Sequence, residues 1–87
     1  GYAHPKFGAG LIKAMQSESE TRISFLAETT VEPTLEVKEK MKQCGVVLIN
    51  STKTVVFGTT DKQNLMCLAA LESVKRIDVP SGAQTSE

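Results

Sequence analysis

The sequence of 87 residues has no net charge and only one histidine. Its 10 basic and 10 acidic residues alternate in sign and form no basic stripe, which argues against nucleic-acid binding and against binding to an anionic membrane surface. No stretch approaches the about 20 apolar residues that cross a bilayer. Because the only histidine, His4, lies in a segment without periodicity, catalysis by a histidine-centred site is not expected.

Motifs for cofactors and metals are also lacking. The chain has no phosphate-binding glycine loop, no dinucleotide fingerprint after a strand and no C-x-x-C pair, so no cofactor and no metal are expected. The two cysteines, Cys44 and Cys67, leave three interpretations open: a disulfide, a metal site or two buried thiols. The general burial of free cysteine favours buried thiols. Phe57 is the only aromatic residue of the predicted third strand, too few for an RNA-binding sheet.

The most prominent feature of the sequence is a predicted β-hairpin. Two apolar, β-branched runs at residues 46–49 and 55–57 flank four polar residues, which predicts a β-hairpin with its turn at residues 50–53. Neither run alternates between apolar and polar residues, as a strand with one wet face should. Both faces of the hairpin therefore require a covering surface.

Periodicity and end signals predict the other elements. In chain order they are a short helix within residues 7–16, a strand at 21–29, a helix at 34–44 that ends at Gly45, a helix that starts near Asp61 with a T-x-x-Q capping box and ends at Ser73 or Val74, and a strand at 74–79. Residues 80–87 have the small, polar composition of a flexible tail.

This order of elements predicts an α+β fold. Two βαβ units joined by the hairpin give a ferredoxin-like βαββαβ sandwich, a four-stranded antiparallel sheet with two helices on one face, preceded by a short N-terminal helix. The predicted division is an N-terminal segment at residues 1–20, the ferredoxin-like domain at 21–79 and the tail at 80–87.

The second sheet face of that fold should carry exposed aliphatic side chains. If Val46, Leu48, Val55 and Phe57 point toward the helices, the residues that point away are Leu26, Val47, Ile49 and Val56. Such a face can bind another protein or a second copy of the chain. Alternatively, Leu11, Ile12 and Met15 of the N-terminal helix could cover part of it.

Four short phrases carry a family resemblance: GLI at residues 10–12, RISFLAE at 22–28 followed by Pro33, QCGV at 43–46, and LAALESVKRI at 68–77. From Phe7 to Val79 the chain resembles the propeptide-like, inhibitor-type domains that precede the catalytic domain of subtilisin-like serine proteases. In these domains the open sheet face packs on the protease, and the segment after the last strand enters the active-site cleft.

The resemblance implies a non-enzymatic domain that inhibits or chaperones a subtilisin-like protease. By position, the cleft segment is Asp78, Val79, Pro80 and Ser81; Pro80 departs from the family pattern because it restricts how the tail extends. The resemblance also implies a secreted or periplasmic protein. The alternative is a ferredoxin-like oligomerisation or regulatory domain that forms a homodimer through the same face.

Overall fold

The computed structural model describes residues 3–80. Within them lie three α-helices and four β-strands, in the order α1 (Ala9–Met15), β1 (Arg22–Thr29), α2 (Leu35–Gln43), β2 (Val47–Thr52), β3 (Val55–Asp61), α3 (Leu65–Ala69) and β4 (Val74–Asp78). A 3₁₀ turn, Lys62–Asn64, precedes α3. None of the helices in this part of the chain is long and apolar enough to cross a membrane.

The four strands form one antiparallel sheet in the order β2-β3-β1-β4. The central strands are β1 and β3, and the edge strands are β2 and β4. The predicted α+β class with a four-stranded antiparallel sheet is therefore confirmed.

Alternation along β1 defines the core. Ile23, Phe25 and Ala27 are buried, whereas Arg22 and Ser24 are exposed. All three helices contribute buried side chains to the same core, namely Leu11, Met15, Met41, Leu65 and Leu68. Helices this short are marginal in isolation, so their burial against the sheet stabilises them.

The N-terminal segment belongs to this packing unit. Phe7 forms a parallel bridge with Ile77 beside β4. The Gly8 N–H donates to the Ile77 carbonyl at 2.8 Å, and the Ile77 N–H donates to the Lys6 carbonyl at 2.8 Å. The outer edge of β4 is therefore occupied, and within residues 3–80 only the β2 edge has no strand beside it.

Helix α1 extends the core. Its side chains Leu11 and Met15 are almost completely buried in the same cluster as Phe25. The Lys62 ammonium donates to the Met15 carbonyl at 3.0 Å, which caps the end of α1. The alternative in which α1 covers the aliphatic sheet face is wrong, because the apolar side of α1 is used in the core.

Helix α2 lies within the predicted range, residues 34–44, and is one residue shorter at each end. The Thr34 hydroxyl accepts a hydrogen bond from the Val37 N–H at 3.2 Å, and this N-cap satisfies an amide that has no intrahelical partner. Glu36 lies in the first turn and Lys42 in the last, as the helix dipole favours. Gly45 follows with φ of 96°, a left-handed conformation that stops the helix.

The predicted capping box before α3 is wrong. Thr60 is fully buried in β3, and its hydroxyl donates to the Gly45 carbonyl at 3.3 Å. It also accepts from the Asn64 amide at 3.1 Å, so it is not a helix cap. Instead, the 3₁₀ turn leads directly into α3. Helix α3 has only 5 residues and ends at Ala69, before the predicted end at Ser73 or Val74.

The hairpin turn also differs from the prediction. Strand β2 continues through Ser51 to Thr52, which pairs with Val55, so the turn consists of Lys53 and Thr54. Lys53 takes a left-handed φ of 53°. The prediction placed the turn at residues 50–53 because these residues are polar, but the β-branched Thr52 suits a strand as well as a turn.

The two cysteines form a disulfide, with Cα atoms 5.6 Å apart. Cys44 ends α2 and is buried, whereas Cys67 lies in α3 and is exposed. The preference for two buried thiols is therefore wrong. Burial statistics describe cysteines one at a time, and the approach of α2 to α3 depends on how both helices pack.

Candidate protein-binding face

One face of the sheet carries hydrophobic side chains that take no part in the core. Cross-strand pairing places Leu26 of β1 opposite Phe57 of β3, and Val55 on the same face. Val47 of β2 shares this face, since it pairs with Thr59. We call Leu26, Val47, Val55 and Phe57 the open-face cluster. Val47 is 52% exposed and the other three are half-buried.

Ion pairs border the open-face cluster on two sides. At one end, Arg22 contacts Asp61 at 3.1 Å and also donates to the Thr59 hydroxyl at 3.1 Å. At the β4 side, Arg76 contacts Asp78 at 2.7 Å and Glu28 at 3.9 Å. The face thus has an apolar centre with a charged rim, the distribution typical of a protein interface.

Val56 does not belong to this face, which corrects the sequence-based prediction. It pairs with Ala27 of β1, has no exposed surface and lies in the core. Of the four residues predicted to face the helices, Val46 and Leu48 pack in or against the core, whereas Val55 and Phe57 lie on the open face. Because β3 is apolar on both sides, its residue pattern does not determine which side faces inward.

Gly58 carried a signal that could have fixed this register. A Cβ atom there would lie 2.4 Å from the Val47 carbonyl oxygen and 3.0 Å from the Phe25 ring. A glycine inside a strand often marks such a close approach. If Gly58 pairs with the bulky Phe25, Val56 and Thr60 lie on the core side of β3. Val55 and Phe57 then lie on the open face, from which the sequence-based prediction omitted them.

Ile49 is exposed, but away from the open-face cluster. The β2–β3 register shifts between Leu48 and Asn50, which leaves Ile49 as the extra residue of a bulge. It is 67% exposed and lines a groove beside Leu35 of α2. Its exposure agrees with the prediction, whereas its grouping with Leu26 and Val47 is wrong, because a bulge changes the direction of the side chain.

Hydrogen bonds and packing hold part of the predicted cleft segment in place. The Asp78 carboxylate accepts from the Leu11 N–H at 3.0 Å and from the Val79 N–H at 2.8 Å. Val79 packs against the core and Pro80 is half-buried. Ser81, the last residue of the predicted segment, lies outside the described residues.

The histidine lies in the N-terminal segment, and the potential metal ligands within residues 3–80 form no cluster. His4 accepts a hydrogen bond from the Lys6 N–H at 3.1 Å, and its ring lies 5.3 Å from that of Phe7. Among residues 3–80 no three His, Cys, Asp or Glu side chains are grouped to hold a metal ion. Comparison of the chain with protein-family models, with curated proteins and with solved structures finds no match. The open-face cluster is the candidate site that the geometry of residues 3–80 supports best, because its hydrophobic side chains lie outside the core.

Proposed function

We propose that this chain is a non-enzymatic protein-binding domain of the propeptide-inhibitor type, with a subtilisin-like serine protease as its partner. The open-face cluster carries the proposal, because its hydrophobic side chains lie outside the core and form a contiguous strip within a charged rim. Burial of such a strip against a partner is a strong driving force for association.

The arrangement of elements supports the same proposal. The strand order, with β1 and β3 in the centre, is the order of a ferredoxin-like sandwich, and we infer that α2 and α3 cover one face while α1 is an addition. A fold with helices on one face leaves the other face available for binding.

The size of the domain limits how it can bind. Its extents are 33 × 28 × 21 Å, so its largest projected cross-section, 33 × 28 Å, is on the order of 900 Å². A stable interface of standard size uses about 800 Å² of each partner. We therefore expect a tight complex to use much of one side of the domain, and the centre of the open face, at Leu26 and Phe57, should contribute most of the binding energy.

Inhibition of a panel of subtilisin-like proteases tests this proposal. The full chain should inhibit at least one of them, and Phe57→Asp should weaken that inhibition by about 100-fold or more, because it places a charge at the centre of the interface. The matched control is Met66→Asp, since Met66 is 45% exposed but lies on α3, and it should change inhibition less than about threefold.

Removal of residues 81–87 distinguishes the contribution of the open face to inhibition from that of the tail. This truncation keeps Asp78, which holds the start of α1, so we expect the fold to be preserved. A truncated chain that binds but no longer inhibits would show that the cleft contact requires residues from Ser81 onward in addition to Asp78, Val79 and Pro80. Absence of inhibition by the full chain across the panel, or equal loss in Phe57→Asp and Met66→Asp, would contradict the proposal.

Self-association through the same face is the second candidate. The rim favours it, because Arg22 and Arg76 and their carboxylate partners provide both signs of charge for a second copy. In sedimentation of the pure chain at micromolar concentration, a stable dimer that Phe57→Asp dissociates would favour this candidate over protease binding.

A further inference from the structure

A groove lies on the side of the molecule opposite the open-face cluster, between α2 and the edge strand β2. Its volume is about 250 Å³ and its lining includes Leu35, Lys38, Glu39, Lys42, Leu48 and Ile49. Leu35 is 82% exposed and Ile49 67% exposed. We call this feature the edge groove. Two large aliphatic side chains on its walls are thus without a covering surface in this part of the chain.

The backbone beside the edge groove is available for strand pairing. The edge of β4 is occupied by residues 6–8, whereas β2 has a strand on one side only within residues 3–80. The Ser51 N–H donates to the Asn50 side chain at 2.9 Å, so it is not used in the pairing with β3. A carbonyl oxygen of a strand placed along β2 could accept this hydrogen bond in place of the Asn50 side-chain oxygen. Exposed edges of this kind bind extended peptides by strand addition.

Charges at the groove define the chemistry of the peptide. Lys42 is 3.6 Å from Glu39, so these two charges offset each other. Lys38 forms no ion pair among the described residues and leaves the groove with a net positive charge. An extended peptide with acidic residues flanking an apolar residue complements both features, since its carboxylate can meet Lys38 and its apolar side chain can lie between Leu35 and Ile49.

We propose that the edge groove is a second binding site, which takes an extended acidic segment of a partner protein as an added strand next to β2. The bulge at Ile49 supports this role because it turns an extra hydrophobic side chain toward the groove. The site goes beyond the proposed protease-binding function, since it uses neither the open-face cluster nor the segment after β4.

Titration of the ¹⁵N-labelled full chain with two synthetic peptides tests the proposal. The probes are acetyl-EVELEV-amide and its basic counterpart acetyl-KVKLKV-amide, followed by two-dimensional NMR. The acidic peptide should shift the amides of β2 and α2 and leave Leu26 and Phe57 unchanged. Methylation of its alternate amide nitrogens should abolish binding, because strand addition requires these donors.

Two variants on α2 provide a matched pair. Lys38→Glu should weaken binding of the acidic peptide by about five- to tenfold, since it reverses a charge at the groove. Lys40→Glu makes the same change on the same helix, but Lys40 pairs with Glu36 outside the groove, so binding should change less than about twofold.

Several results would overturn this inference. They are no shifts at millimolar peptide, equal binding of the basic peptide, undiminished binding of the methylated peptide, or shifts confined to Leu26 and Phe57. Concentration-dependent shifts of β2 without peptide would assign the groove to a second copy and would also overturn it. Failure of protease inhibition would not affect these results, because Phe57 and Lys38 lie on opposite sides of the sheet.

Discussion

Val56→Asp should lower the free energy of unfolding by about 4 kcal/mol or more and leave much of the chain unfolded. Val56 has no exposed surface and lies in the core beside Ala27. A carboxylate there loses its hydration and gains no partner, a cost that is large beside the about 5–15 kcal/mol total stability of a typical domain. Urea unfolding followed by circular dichroism measures the effect.

Val47→Asp is the matched control. Val47 is the same residue type in the neighbouring strand, but it is 52% exposed on the open face, so the charge keeps its hydration. We expect a loss of less than about 1 kcal/mol. The prediction from sequence placed both valines on one face and implies similar effects; similar losses in the two variants would therefore restore that register and contradict the one observed.

Removal of the disulfide with Cys44→Ala and Cys67→Ala together should cost about 3 kcal/mol. The bond closes a loop with a sequence separation of 23 residues, and its loss gives that chain entropy back to the unfolded state. For a domain of this size, the melting temperature should fall by about 15 °C. Calorimetry or thermal circular dichroism measures the change.

Chemical reduction gives the control for this pair. A reductant should lower the melting temperature of the unmodified chain and should leave the double alanine variant unchanged. A thiol assay that finds two free thiols in the folded, unreduced chain, together with no response to reductant, would show that the disulfide is absent in solution.

Local sequence signals predicted much of the fold. Alternation identified β1, Gly45 marked the end of α2, and the two βαβ patterns indicated four antiparallel strands in an α+β domain. These features depend on neighbouring residues, which a sequence displays directly. The prediction also placed Leu26 and Val47 on the correct face of the sheet. The alternation of β1 fixed the side of Leu26, and the register assumed for β2 was right at Val47.

The errors occur where contacts between distant parts of the chain determine the structure. The side of β3 that faces inward depends on the contact of Gly58 with Phe25, and the disulfide depends on the approach of α2 to α3. The T-x-x-Q pattern at Thr60 failed for the same reason, since the hydroxyl bonds to Gly45, 15 residues away. Each of these contacts joins separate elements, and only the glycine within β3 gave a local sign of one of them.

The corrected register changes the candidate site more than the fold. It replaces the aliphatic Val56 with Phe57 at the centre of the open face and adds Val55. An aromatic side chain at the centre makes a stronger anchor for a partner, because aromatic residues are enriched at interfaces and bury a large area. It also moves Ile49 to the separate edge groove.

The most direct test of the open-face proposal is methyl NMR with a soluble paramagnetic relaxation agent, on the free chain and on the chain saturated with a subtilisin-like protease that it inhibits. We predict fast relaxation of the Leu26, Val47 and Val55 methyl groups in the free chain and protection in the complex, with Val56 protected in both. Protection of Leu26, Val47 and Val55 in the free chain, or unchanged relaxation in the saturated complex, would contradict the proposal.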